Sequence, residues 1–302
     1  MTVELAIQTM TSHADSIELA TWAERAGLAA FAVADHFLMT GDSSYALDQL
    51  TLLGAVAERT DRIALATLVS PITFRHPAVM LKAAVTLDEI SNGRFSLGIG
   101  AGWMEEEHIR FGLPFPAIGE RFDRLAETLA YLHAARTDTG FDGRYYQLAA
   151  GEPPQPVPDR VRIVVGGSGK RRTPQLAGRY ADEFNLSPTE ESMASRIERA
   201  RSAAADAGRD PTRLTMSTAF PLVVEEDSAA LDRRIEQVAA DRGVESDRIR
   251  ERWPAIGIPV GVVSEFREQL SVLEAEGIER VYFQVAFDSP ETVKRLVGLL
   301  SS

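Results

Sequence analysis

The 302-residue chain predicts a single (β/α)8 barrel carrying two insertions. Three observations lead there. Short, continuously apolar runs alternate with segments of helical periodicity, and eight such runs occur; runs of this kind suit strands covered on both faces. Strands alternating with helices imply parallel βαβ units, and eight of them favour a closed barrel over an open doubly wound sheet. A length of 302 residues, with 45% hydrophobic and 25% charged, is enough for one large core.

The elements follow in order. "VELAIQ" (3–8) is the first strand, and 15–26 an amphipathic helix closed by Gly27. "AAFAVAD" is the second strand, followed by helical periodicity over 45–59. "RIALATLV" (62–69) is the third, with a helix at 77–91. "RFSLGIG" (94–100) is the fourth, with a helix at 120–136. "VRIVVGG" (161–167) is the fifth, with a helix at 170–180. "DEFNLS" holds a short sixth strand before a helix at 192–208. "RLTMSTAFPLVV" (213–224) is a long seventh strand before a helix at 228–242. "FREQLSVLEAEG" is helical, "ERVYFQVA" is the eighth strand, and 290–300 closes the chain as a helix. The Pro- and Gly-rich stretch 141–160 and the stretch 243–259 read as insertions within one domain spanning 1–302.

Composition narrows the functional classes. With no cysteine there is no disulfide framework, thiolate metal site or catalytic thiol. A formal charge of −12 argues against nonspecific binding to nucleic acid or to anionic membrane. No window holds the roughly 18 uninterrupted apolar residues of a membrane span. "MTVELAIQTM" lacks the basic segment and long apolar run of an export leader, so a cytoplasmic location is expected.

Barrels of this class place their chemistry at the C-terminal ends of the strands. Strand two ends in Asp35 and His36. A neutral imidazole there can exchange protons near neutral pH; the plainer account is a histidine that hydrogen-bonds locally. Asp35 can orient the ring, accept a hydrogen bond from a cofactor, or simply cap the next turn. After strand five comes "GGSGKRRTP". Gly166, Gly167 and Gly169 allow close backbone approach to an anion, Ser168 offers a hydroxyl, and the following helix points its positive end at the same spot. Lys170, Arg171 and Arg172 add three cations. The competing account is a strand-to-helix turn with solvated basic residues. "GIGAGW" (98–103) is GxGxG rather than GxGxxG and has no acidic strand end at the right distance, which excludes nicotinamide binding through that motif. Its glycines suit a flat ring or its phosphate tail. "EEEH" (105–108) reads as a solvated helix start. Five scattered histidines give no metal-binding spacing, so no metal is expected, and no GxSxG elbow marks a hydrolase.

The stretch "ALATLVSPITFRHPAVMLKAAVTLDEISNGRFSLGIGAGWMEEEHIRFGLPFPAIGERFDRLAETL" (64–129) resembles the luciferase-like monooxygenase superfamily, and within it the coenzyme F420-dependent oxidoreductases. "GGSGKRRTPQLAGRYADEFNLS" and "GIERVYFQVA" are similar to the same family. The resemblance implies a bacterial luciferase-like TIM barrel with insertions, usually a homodimer. It implies F420, a deazaflavin with a phospholactyl-polyglutamate tail, or FMN as in sister branches. Asp35 would then meet the hydroxyl edge of the ring and His36 would face the substrate as the catalytic proton-transfer group. Leu68 and Val69 match a non-prolyl cis peptide behind the ring. Ala101, Gly102 and the Gly166–Gly167–Ser168–Gly169 loop match positions that hold the tail. Lys170, Arg171 and Arg172 would neutralise the tail, with Arg75 a further candidate. One departure matters: Trp103 stands where related sugar-phosphate dehydrogenases carry a catalytic glutamate. Sugar-phosphate oxidation is therefore not expected, and Trp103 is expected to line a substrate pocket instead. The leading expectation is F420-dependent hydride transfer between the deazaflavin C5 and a small organic substrate. The alternatives are an FMN-dependent monooxygenase fed by a separate reductase, and a flavin-binding barrel that stores or senses without turnover.

Overall fold

Eight parallel strands close into a barrel: β1 (Glu4–Thr9), β2 (Ala30–Val33), β3 (Ala64–Thr67), β4 (Phe95–Gly100), β5 (Arg162–Gly167), β6 (Glu183–Leu186), β7 (Thr215–Pro221) and β8 (Arg280–Gln284). The computed structural model describes residues 3–38, 46–137, 139–151 and 161–301. Each strand pairs with its sequence neighbour. Leu5 opposite Val281 joins β1 to β8, and Leu65 opposite Phe95 joins β3 to β4, which completes the ring.

The strands alternate between two cores, as a period of two requires. Ala6, Ala30, Ala32, Ala66, Val164 and Tyr282 point into the barrel. Their neighbours Ile7, Phe31, Val33, Leu65, Val165 and Phe283 point out, against the helices. That double burial is why the strands read as unbroken apolar runs. Below the mouth, Glu183 accepts from Ser217 at 2.7 Å and from Arg280 at 2.8 Å, so the buried carboxylate is paired.

Several boundaries differ from the expectation, each for a local reason. The third strand stops at Thr67. The Leu68–Val69 peptide is cis, and pairing with β4 resumes at Ser70–Pro71. The long seventh strand divides. Pro221 ends the barrel portion, and Val223–Glu225 leaves to pair in parallel with Val260–Val262 outside the ring. The helix expected from Lys170 begins at Arg172, and the one expected from residue 45 begins at Gln49, behind an Asp48 N-cap that accepts from the Thr51 amide at 2.9 Å. Of the first insertion, Phe141–Asp142 pairs antiparallel with Gln147–Leu148, while 152–160 lies outside the described residues. The second insertion is anchored, because Ile249 and Trp253 are buried in the main core. Among the described residues no helix is long and apolar enough to cross a membrane, and no group of three or more potential ligands could hold a metal ion.

Candidate active site

A cavity of about 850 Å³ opens at the C-terminal ends of the strands, the size range of small-molecule and cofactor sites. His36, Leu68, Val69, Ala101, Gly102 and Trp103 line it, as do Gly166, Gly167, Ser168 and Gly169. Most of the residues singled out from the sequence thus converge on one space. Asp35, Arg75, Lys170, Arg171 and Arg172 do not line it.

His36 is fixed by a residue the sequence reading set aside. Its Nδ1 lies 3.1 and 3.3 Å from the two carboxylate oxygens of Glu107, and Glu107 also accepts the Phe37 amide at 2.9 Å. Glu107 is fully buried. A carboxylate can only accept here, so in the neutral imidazole Nδ1 carries the proton, and Nε2 has no hydrogen-bond partner among the described residues. Trp103, 65% exposed, sets its ring edge-on to the imidazole at 5.5 Å. The expectation of a solvated "EEEH" holds for Glu105 and Glu106 only; Glu107 and His108 turn inward on the helix Glu105–Phe111. Met104 and Phe111, one helical turn either side, were the available signal. His108 Nδ1 donates to the Met104 carbonyl at 2.7 Å, and its Nε2 accepts from the Thr73 hydroxyl at 2.7 Å, tying this helix to the loop after β3.

Asp35 points the other way, as neighbours on an extended chain do. It accepts from Ser70 at 2.9 Å and from Arg75 at 2.5 Å, while Arg75 reaches Asp48 at 2.6 Å. This chain pins the end of β2 to the β3 loop and to the helix beginning at Gln49. Burial pushes the Asp35 carboxyl up, and Arg75 and Ser70 offset only part of that. Burial works against the Arg75 guanidinium too, but two carboxylates hold it above its usual range. Arg75 and Asp35 therefore brace the wall behind His36.

The cis peptide shapes the floor. Gln8 Nε2 donates to the Leu68 carbonyl, and Gln8 Oε1 is buried with no partner among the described residues. Val69 fits into space that glycines leave: a Cβ on Gly166 would lie 2.7 Å from Val69 Cγ1, and one on Gly100 would lie 2.9 Å from Cγ2. Gly166, one of the three glycines that suggested anion binding, thus serves packing first, as does Gly100. Gly167 (φ +150°) and Gly102 (φ +80°) hold backbone conformations that favour glycine.

The basic triplet faces outward. Lys170, Arg171 and Arg172 are exposed, and Arg172 pairs with Asp123 at 2.5 Å. The cations of the cavity are two arginines that the sequence did not single out, Arg121 and Arg242. Arg121 lies over the Phe115 ring at 3.8 Å and donates from Nη1 to the Gly102 carbonyl at 2.7 Å. Its Nε is buried without a partner among the described residues, and burial pulls its pKa below the usual arginine range. Arg121 is in phase with buried Leu125, Leu129 and Leu132, and Arg242 with Ile235, Val238 and Ala239, so helical phase was the available signal.

Residues 2–291 match the family model for luciferase-like monooxygenases. An F420-dependent glucose-6-phosphate dehydrogenase of Amycolatopsis mediterranei is 38% identical over 178 residues, which cover 56% of this chain and 52% of that protein. The chain thus spans about half the length of that relative. The protein of the same name from Kribbella flavida is 29% identical over 287 residues, covering 85% of this chain and 84% of that one. Among solved structures, an F420-dependent secondary alcohol dehydrogenase in complex with an F420–acetone adduct shares the fold, with a TM-score of 0.80 over 99% of both chains at 19% identity. With nearly the whole barrel matched, the chain belongs to the luciferase-like monooxygenase family.

Proposed function

We propose that the protein is an F420-dependent oxidoreductase, moving a hydride between the deazaflavin C5 and a small organic substrate. The observation that carries this reading is His36, held by buried Glu107 with Nε2 unpartnered among the described residues, at the wall of a cavity large enough for a cofactor and a substrate. The names of the relatives support the choice of cofactor.

The residues present fit a deazaflavin. Gln8 Oε1 is an unpartnered buried acceptor, suited to an N–H on the pyrimidine edge of the ring, and Arg121 Nε is an unpartnered buried donor, suited to a phosphate. Leu68 and Val69 would support the ring. Ala101, Gly102 and the 166–169 loop would hold the start of the tail. Bound F420 would supply a hydride donor or acceptor at one ring carbon. The rest belongs to the protein. His36 Nε2 takes the proton from a substrate hydroxyl during oxidation and returns it during reduction. Glu107 stabilises the imidazolium that results and keeps the ring in one orientation. Trp103 shields the pair from water at the mouth.

FMN in a monooxygenase with a separate reductase is the second reading, favoured by one observation. With the basic triplet outside the cavity, a single arginine stands by the glycine loop, enough for one phosphate. The experiment is a screen of secondary alcohols with oxidised F420, and of activated alkenes and imines with reduced F420, following the deazaflavin absorbance. Turnover that falls by about 10²-fold or more in His36→Ala supports the proposal. Oxygen consumption with reduced FMN and none of the F420 reactions would overturn it.

A further inference from the structure

Among the described residues two guanidinium groups line the cavity and no carboxylate does. In a chain of formal charge −12, that is a local reversal of sign. The two cations stand on opposite sides. Arg121 bonds the carbonyl of Gly102, just beyond β4. Arg242 lies over the Phe287 ring at 5.7 Å, just beyond β8. β4 and β8 are four places apart in the ring of eight strands, hence across the barrel from one another. The Arg121 side adjoins the glycine loop, since a Cβ on Gly169 would lie 3.3 Å from Phe122. A cofactor phosphate held at Arg121 would leave Arg242, across the barrel, unanswered.

No carboxylate pairs with Arg242 within ion-pair distance among the described residues. Asp288, the acid that acts most strongly on it through charge, is held by two N–H donors of Arg234 at 2.5 and 2.8 Å. Burial pulls the Arg242 pKa below the usual arginine range, and Asp288 and Asp241 offset only part of this. A position in the last turn of the helix Ser228–Arg242 suits the dipole. It does not account for a head group presented to the cavity wall. A partly desolvated guanidinium with free N–H donors is a fork for an oxyanion.

We propose that Arg242 is the substrate-recognition residue of this cavity and binds the carboxylate or phosphate of an anionic substrate. The proposal rests on the oxidoreductase reading above. β8 and β2 both flank β1, so an anion held beyond β8 puts the rest of a small substrate on the His36 side.

The test uses F420-loaded protein, native and as Arg242→Leu and Arg242→Lys, each checked for an unchanged melting temperature. Calorimetry measures binding of lactate, glycerol phosphate and uncharged propylene glycol. The expected result is that at least one anion binds, weakens by about 30-fold in Arg242→Leu and partly recovers in Arg242→Lys. Propylene glycol is indifferent to the change, and F420 affinity stays the same. The anion that responds distinguishes a carboxylate from a phosphate. Three results overturn the proposal: no anion binding to the native protein, equal anion binding in Arg242→Leu, or loss of F420 itself in that variant, which would place the cofactor tail at Arg242. If the native protein binds no F420, the cofactor reading fails separately. The titrations then move to cofactor-free Arg121→Leu, in which Arg242 is the remaining guanidinium of the described wall. Loss of anion binding on adding Arg242→Leu still supports the proposal, and no loss overturns it.

Discussion

His36 and Glu107 are separated by 71 positions, and their contact is the feature that gives the site a direction. Without the carboxylate the imidazole can rotate or present either nitrogen; with it, Nε2 faces the cavity. Glu107→Gln keeps the shape but removes the charge that stabilises the imidazolium, and Gln can offer an N–H where an acceptor is needed. A fall in kcat of about 10²-fold is expected, with F420 affinity altered by less than about threefold. Steady-state kinetics beside a fluorescence titration measure both; equal losses in binding and turnover would show a structural role only. At this scale the sequence disclosed the actors unevenly. His36 stood out because it ends an apolar strand. Glu107 did not, because three consecutive acids look like a solvated helix start until the helix phase is fixed. Arg121 and Arg242 share the apolar stripes of their helices, but a charged residue near a helix end reads as solvated until the barrel is assembled.

Elements explain how the site is held. Val69 enters a slot made by Gly98, Gly100 and Gly166. Gly166→Ala puts a methyl 2.7 Å from Val69 and must displace the floor; a loss of about 1–3 kcal/mol is expected, read as a lower denaturation midpoint together with weaker F420 binding. A second element-scale device is at the far end of the barrel helices. Glu24 Oε2 accepts the amides of Asp61, Arg62 and Ile63 at 2.9, 2.6 and 2.9 Å, clamping the first helix to the start of β3. Burial pushes the Glu24 pKa up, but the three N–H donors outweigh it and the net shift is downward. The folded state therefore prefers the ionised form. The stabilisation is present above about pH 4.5 and is lost as pH falls through the lowered folded value. Glu24→Gln should cost about 1 kcal/mol at neutral pH, given its partial exposure, and the gap from native should close in acid. Denaturation across pH measures this; a gap that persists in acid would count against the clamp. The strands themselves were legible because both faces are buried. The break after Thr67 was not, because the apolar run continues through a change of backbone direction.

The whole molecule combines an acidic surface with a cavity that two arginines line among the described residues, so on the proposal above the interior, not the exterior field, selects ligand charge. The barrel was legible from eight apolar runs and their spacing, whereas the split of β7 into a second small sheet depends on contacts with residues 260–262 that no local window contains. We also propose a homodimer: Leu47, just before the helix Gln49–Ala57, and Val79 and Ile90 on the helix Pro77–Ile90 are exposed apolar side chains suited to an interface. Light scattering should give twice the chain mass, falling toward one chain in Val79→Glu; a monomer at all concentrations would contradict it.

The deciding experiment is fluorescence titration of the purified protein with F420 and with FMN, in native, Arg121→Leu and Lys170/Arg171/Arg172→Ala forms. F420 should bind more tightly than FMN, weaken by at least about tenfold in Arg121→Leu, and change little in the triple variant. Preferential FMN binding, or F420 binding that depends on the outer triplet and not on Arg121, would contradict this expectation.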